Sequence, residues 1–332
     1  MENLTKVIWG IIGAGDVCEV KSAPAMYSIA NSGVKMVMRR NAAKASDFAK
    51  RHGITSWTTD LAELLNDTEI NAVYIATPPD SHAAITLLCA AAGKAVYVEK
   101  PMANSYSECL SMIEACEKAN VPLFVAYYRR ALPGFLKIKE IIDSGALGEI
   151  RFVNIDMVQS IQPKIIAHSE TNWRVHPEIS GGGYFHDLAS HQLDFLDFIF
   201  GPIVESKGIS VNQGKVYPAD DLVTATFRFE KNVIGSGIWC FTSNPFYERD
   251  NTLIVGSNGN LSFNTFGSPM ILQMETLEKG KQEFSYTHSQ PIQQQLIQKV
   301  VDELCGIGIS PSSGKSGART TFVLEEVTGK KN

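Results

Sequence analysis

Val7-Ile8-Trp9-Gly10-Ile11-Ile12-Gly13-Ala14-Gly15-Asp16-Val17-Cys18 decides the fold of this chain. An apolar, β-favouring run closes on two glycines and leads into helical sequence, the strand, turn and helix context in which a glycine motif holds a dinucleotide. Gly13 permits the tight turn. Gly15 lets the backbone approach a pyrophosphate, whose charge meets the unpaired N–H groups and positive end of the helix begun by Asp16 and Val17. Cys18 stands where the full fingerprint has its third glycine, a weaker match, and such a loop taken alone also serves as a plain structural turn.

Downstream, short apolar runs at Val34–Met38, Ala72–Ala76, Ala95–Val98 and Leu123–Ala126 alternate with helical stretches, among them Ser81–Ala92 and Ser105–Ala119. Nearly continuous apolar strands predict a parallel sheet covered by helices on both faces, so residues 1–126 read as a doubly wound α/β domain. After a helix near Phe135–Ser144, ended by Gly145 and Gly148, the pattern changes to longer strands joined by polar turns. Val223–Glu230 alternates apolar and polar residues without a fault, which predicts one buried and one open face. Residues 127–332 therefore read as an α+β domain with an open, mostly antiparallel sheet. Helical spacing at Ile292–Cys305 and Thr321–Val327, with a Gly/Ser/Pro-rich loop expected over Ser310–Arg319, suits segments that pack back on the first domain; Gly329–Asn332 reads as a polar tail.

The chain's 332 residues, 44% of them hydrophobic, suffice for two cores. A net charge of -5 with no long basic block argues against nucleic acid or an anionic membrane as partner. The six cysteines show no CxxC pair and sit in apolar stretches, which suits a reducing compartment, and no apolar run is long enough to span a bilayer. The expected location is the cytoplasm.

About 20 residues past the glycine loop, NAD-binding folds place an acid that holds the ribose 2′-hydroxyl. Here the second strand ends Met38-Arg39-Arg40, and Asn41 can cap the helix that follows. Two cations before a helix start oppose its dipole, and an anion relieves that opposition. Arg39 and Arg40 are therefore expected to hold the 2′-phosphate of NADP(H) in preference to NAD(H); a solvated surface pair is the plain alternative. Thr77, Pro78 and His82, after the strand at Ala72–Ala76, are expected along the nicotinamide side, His82 in a capping or packing role.

Glu99-Lys100-Pro101 follows the strand Ala95–Val98 and puts an ammonium at the carboxyl edge of the sheet, where open α/β folds bind ligands. Asp187 and His191, four apart after Gly181-Gly182-Gly183, share one helix face. Hydride transfer at a carbinol carbon needs a matched proton transfer at oxygen. Histidine titrates close to working pH, which makes His191 the general acid/base, with Lys100 polarising the oxygen and Asp187 orienting the imidazole or a substrate hydroxyl. Singly, each has an ordinary structural role; together they read as catalytic. Tyr128, Arg129, Trp173 and Arg174 suit a polyhydroxylated substrate ring. No metal is expected, since His186 and His191 lie about 140° apart round the helix and no cysteine joins them.

Gly10–Gly15, Ala76-Thr77-Pro78-Pro79-Asp80-Ser81-His82, Glu99-Lys100-Pro101, Gly181–Gly183 and Asp187-Leu188-Ala189-Ser190-His191, in this order, resemble the glucose-fructose oxidoreductase, inositol dehydrogenase and MocA family. The resemblance implies an N-terminal Rossmann domain, a C-terminal sheet that builds homodimers or homotetramers, catalytic roles for Lys100, Asp187 and His191, cofactor contacts that include Glu99 and Lys100, and a cis Lys100–Pro101 peptide. It also implies a small-molecule substrate of the sugar or cyclic polyol class. Two other functions share the architecture: a cofactor-sensing regulator without catalysis, and a lyase or hydrolase that recycles NAD.

Overall fold

Strand register lines up the carboxyl ends of the first sheet. The computed structural model describes residues 3–161, 163, 165–166 and 172–329, so residues 330–332 of the polar tail lie outside it. The chain divides into two units, Met1–Tyr128 with Ser289–Ala318, and Arg129–His288 with Arg319–Asn332.

In the first unit β1 (Val7–Ile12), α1 (Ala23–Ser28), β2 (Ser32–Met38), α2 (Ala42–His52), β3 (Ser56–Thr58), α3 (Leu61–Asn66), β4 (Ala72–Ile75), α4 (His82–Ala91), β5 (Ala95–Val98), α5 (Tyr106–Lys118) and β6 (Leu123–Val125) follow one another. The six strands are parallel in the order β3-β2-β1-β4-β5-β6. Every residue of β4 and β5 is buried, as a parallel sheet covered on both faces requires. The order reverses between β1 and β4, the switch point outside which open α/β sheets take their ligands. Ile12 pairs with Met38 and Ile75, Ile75 with Val98, and Val98 with Val125. Gly13, Arg39, Thr77 and Lys100 thus emerge one or two residues beyond a common line.

Two local features depart from sequence expectation. β3 and α3 escaped the reading because Ser56-Trp57-Thr58 is too short to show periodicity. The helix after the glycine loop begins with one wide π turn, Cys18–Ser22, before α1, whose first turn holds Pro24. Proline has no N–H for the i−4 carbonyl, so the hydrogen-bond ladder is interrupted there.

The second unit holds α6 (Pro133–Asp143), β7 (Ile150–Ser160), α7 (Pro177–Ser180), α8 (Gly183–Phe200) and β8 (Ile203–Val211), then β9 (Leu222–Phe229), β10 (Ile234–Ser243), β11 (Arg249–Gly256), β12 (Gly259–Phe263), β13 (Met270–Thr276) and β14 (Gly280–Tyr286). These strands form one sheet in the order β14-β13-β12-β11-β7-β10-β9-β8, antiparallel except where β7 runs beside β10. The alternation in β9 buries Val223, Ala225, Phe227 and Phe229, as the sequence predicts. α8 packs on that buried face, with Phe185 edge-on to Trp239 at 5.1 Å and Phe195 edge-on to Phe263 at 5.9 Å.

After β14 come α9 (Gln294–Leu304) and α10 (Gly314–Thr328). α9 and residues 314–318 group with the first unit, and α10 continues as part of the second from Arg319. The loop expected over Ser310–Arg319 is thus half helix. Ser313 and Ser316 exchange side-chain bonds with each other's backbone N–H groups at the helix start. A Cβ at Gly314 would lie 2.8 Å from Leu123, and one at Gly317 2.6 Å from Val125. These small residues are caps and close-packing positions against β6, a use that composition alone reads as loop.

Candidate active site

Gly13 leaves β1 at φ 82°, and a Cβ on it would stand 2.5 Å from Thr77 Cγ2 and 2.8 Å from Thr77 N. Glycine there is demanded by the protein itself. Gly15 is different: a Cβ would meet nothing closer than the Gly13 carbonyl oxygen at 3.9 Å, and its φ lies outside the left-handed region. What glycine gains at 15 is the close approach of something other than protein, which a dinucleotide's pyrophosphate fits. Asp16 is exposed and Val17 half-buried. Cys18 is fully buried, and burial pushes its thiol up to about 12, so it is an inert packing residue.

At the next strand end Arg39 is half-buried and Arg40 exposed, and neither side chain meets a carboxylate within ion-pair distance among the described residues. The Arg39 N–H donates to the Thr58 carbonyl, and the Asn41 side chain accepts from the Lys44 N–H and caps α2, as expected. Two arginines at the strand end paired with that of Gly13 suit a phosphate.

Lys100 is half-buried, and its peptide bond to Pro101 is cis. The residue before it carries the local charge. Buried Glu99 accepts from Tyr74 Oη at 2.6 Å, from Gln293 Nε2 at 2.7 Å and from the Lys100 N–H at 3.2 Å. Gln293 in turn accepts from Tyr97 Oη at 3.0 Å. Burial and the Glu99 carboxylate hold both phenols well above their ordinary range, so they act as donors throughout. Gln293 escaped the sequence reading, since nothing local marks a glutamine 194 positions from its partner. Thr77 and Pro78 are half-buried, with the Thr77 hydroxyl accepting from Ser81 at 2.7 Å; His82 is wholly buried beneath them. Tyr128, the last residue of this unit's first segment, is 7% exposed.

In the second unit α8 carries Asp187 and His191, one turn apart and both buried. The glycines ahead of it have separate reasons. Gly181 ends α7 in the left-handed conformation, and a Cβ at Gly182 would lie 2.1 Å from the His186 ring. Arg174, buried in the turn Trp173–Val175, donates from Nε to Asp187 Oδ2 at 3.1 Å and stacks over half-buried Trp173 at 4.5 Å. The residue expected to touch substrate thus fixes the carboxylate of Asp187. His191 lies edge-on to Phe266 at 6.0 Å. Arg129 is 4% exposed, donates to the Thr265 carbonyl and lies 4.4 Å over the Phe266 ring, so its guanidinium is committed to the protein on two sides.

One cluster on α8 was not anticipated. Arg130 forks onto Asp194 with two 2.8 Å contacts and reaches Asp197 Oδ1 at 3.2 Å, and Arg319 forks onto both oxygens of Asp197 at 2.8 and 2.6 Å, sharing Oδ1 with Arg130. Burial pushes the Asp194 carboxyl up to about 6, against the opposing pull of Arg130. Two carboxylates among Leu193, Phe195, Leu196, Ile199 and Phe200 were the available signal, because buried acids require cations. Among the described residues no group of three His, Cys, Asp or Glu side chains is placed to hold a metal ion, and no helix is long and apolar enough to cross a membrane.

Residues 7–127 match the oxidoreductase family with an NAD-binding Rossmann fold, and residues 135–262 match the GFO/IDH/MocA C-terminal domain. The chain belongs to the GFO/IDH/MocA oxidoreductase family. It is an oxidoreductase built on an NAD-binding Rossmann domain, as the motifs predict. Oxidoreductase P35 of Formosa agariphila is 40% identical over 325 residues, 98% of this chain and 99% of that one. Levoglucosan dehydrogenase of Pseudarthrobacter phenanthrenivorans is 32% identical over 258 residues, 69% of this chain and 64% of that one. The crystal structure of an oxidoreductase from Agrobacterium radiobacter with NAD+, L-tartaric acid and magnesium covers 98% of both chains at 21% identity and TM-score 0.85, a likeness of fold.

Proposed function

We propose that this family member transfers hydride between NADP(H) and a carbinol or carbonyl carbon of a sugar or cyclic polyol. The observation that carries the proposal is the anchoring of Lys100 two residues past the end of β5, on the same edge as the Gly13–Gly15 loop. Gly13, Gly15, Asp16 and Val17 would receive the pyrophosphate, Arg39 and Arg40 the 2′-phosphate, and Thr77, Pro78, Glu99 and Lys100 would flank the nicotinamide. That ring supplies or accepts the hydride when bound. Lys100 polarises the reacting oxygen, His191 gives or takes its proton, and Asp187, fixed by Arg174, orients the imidazole or a neighbouring substrate hydroxyl. Sugar chemistry is supported by the levoglucosan dehydrogenase relative, and NADP by the absence of any carboxylate on Arg39 and Arg40 among the described residues.

A reducing cytoplasm suits the thiols, since no disulfide joins the six cysteines. A homodimer or homotetramer through the second sheet suits its open face, where Ile234 and Phe152 pair across β10 and β7 at 48% and 42% exposure.

The test is a screen of sugars, inositols and dihydrodiols with both coenzymes, read as absorbance change at the reduced nicotinamide band, on the wild type and on Lys100→Met. Turnover with NADPH or NADP that falls roughly 10² to 10⁴-fold in the variant, with coenzyme affinity retained, is expected. Coenzyme binding without turnover on any substrate points to the sensor reading.

A further inference from the structure

His82 opens α4 and is 0% exposed in the first unit. Its Nδ1 lies 3.1 Å from the Pro101 carbonyl oxygen and 3.2 Å from that of Met102, while its Nε2 lies 2.8 Å from the Thr77 carbonyl oxygen. A carbonyl oxygen only accepts. Each ring nitrogen therefore needs its own proton if these contacts are to be attractive, and a neutral imidazole has one N–H to give. With either neutral tautomer, a ring lone pair would face a carbonyl lone pair in a wholly buried place, leaving a hydrogen bond unmade on both sides.

Glu99, just past the end of β5, acts on this ring through its charge, together with the three carbonyls. Burial, the largest influence, holds the imidazole below its ordinary value although the carbonyls and Glu99 pull the other way; the geometry of three acceptors on two ring nitrogens opposes that direction and carries the argument. The surroundings of Lys100 then have a clear order. Glu99, on one side, is tied by Tyr74, Gln293 and the Lys100 N–H. Pro101 and Met102, on the other, present their carbonyls to His82, which also holds Thr77, the residue against which Gly13 packs.

We propose that His82 stands as a buried imidazolium, with Glu99 as its counter-charge, and that it is a positioning residue for Lys100, joining the loop after β4 to the loop after β5. The kinetic half of this inference rests on Lys100 being catalytic; the charge state does not.

The full chain, labelled with ¹⁵N only in histidine, is examined by long-range proton–nitrogen correlation at pH 7.5, where an ordinary histidine with a value of about 6.5 is mostly neutral. Both His82 nitrogens are expected to show protonated-type shifts. The signal is assigned by its loss in His82→Asn, or by replacing each other histidine in turn if that variant does not fold. One bare ring nitrogen at this pH overturns the charge assignment. Folded His82→Asn is expected to lose roughly 10²-fold in kcat with KM for coenzyme little changed, the signature of a displaced Lys100; wild-type kcat overturns the positioning role. An imidazolium found alongside full turnover in Lys100→Met would sink the reading of Lys100 and leave the charge assignment standing.

Discussion

Gln293 Nε2 donates to Glu99 Oε1 at 2.7 Å, joining residues 194 positions apart. The same amide accepts from Tyr97, so Gln293→Leu removes a donor from a buried carboxylate and an acceptor from a buried phenol together. Hydrogen bonds to charged groups contribute about 1.5–3 kcal/mol, and a loss in that range is expected in urea unfolding. A loss below about 0.5 kcal/mol would mean that the bridge adds nothing to the unit that contains it.

The Arg130 fork makes a second prediction with a pH signature. Arg130→Met leaves Asp194 buried without its main cation, a change that typically costs about 3–5 kcal/mol. In the wild type the Asp194 carboxyl is raised from an ordinary 3.8 to about 6, so the stability this group contributes is full below 3.8 and is lost as pH rises through about 6. Removing Arg130 removes the pull toward the charged form and raises that carboxyl further. The gap in urea midpoint between wild type and variant should therefore be wider at pH 8 than at pH 5. An equal gap at the two values would show that Asp194 is not the group left stranded.

The elements that sequence exposed are those whose pattern is local. β1 and β5 have the bounds expected of them because each is a short apolar run closed by turn residues, and α8 declared itself through Gly181–Gly183 and the spacing of Asp187 and His191. What escaped depends on partners distant in sequence. Gly314 and Gly317 read as loop residues until Leu123 and Val125 are seen against them. Arg174 and Arg129 read from sequence as ligand-binding cations alone, whereas the fold shows that the Nε of each also donates to protein, to Asp187 and to the Thr265 carbonyl. Residue type revealed the chemistry available, whereas only the fold shows which groups are already spent on the protein.

Arg39 and Arg40 meet no carboxylate among the described residues, and they test coenzyme choice. Arg39→Ala with Arg40→Ala removes side chains that meet no carboxylate among the described residues, so the melting temperature should hardly move. Charge-assisted contacts to a phosphate are worth about 1.5–3 kcal/mol each, so with both removed NADPH should bind roughly 10² to 10⁴-fold more weakly while NADH is little affected. Calorimetric titration with both coenzymes decides the matter, and equal weakening of the two would remove the 2′-phosphate assignment.

Gly13 and Gly15 separate folding from binding within one turn. Gly13→Ala places a Cβ at φ 82° and 2.5 Å from Thr77 Cγ2, so both strain and collision oppose it, and a loss of about 1–3 kcal/mol is expected even without coenzyme. Gly15→Ala meets no protein atom within 3.9 Å and needs no left-handed backbone. Its unfolding free energy without coenzyme should stay within about 0.5 kcal/mol of wild type. Its coenzyme affinity should nevertheless fall, because the methyl group occupies the approach that the pyrophosphate needs. The paired measurement is urea unfolding of the coenzyme-free protein beside calorimetric NADPH titration. If Gly15→Ala binds as tightly as wild type, the pyrophosphate does not pass over residue 15, and the cofactor assignment of the whole turn goes with it.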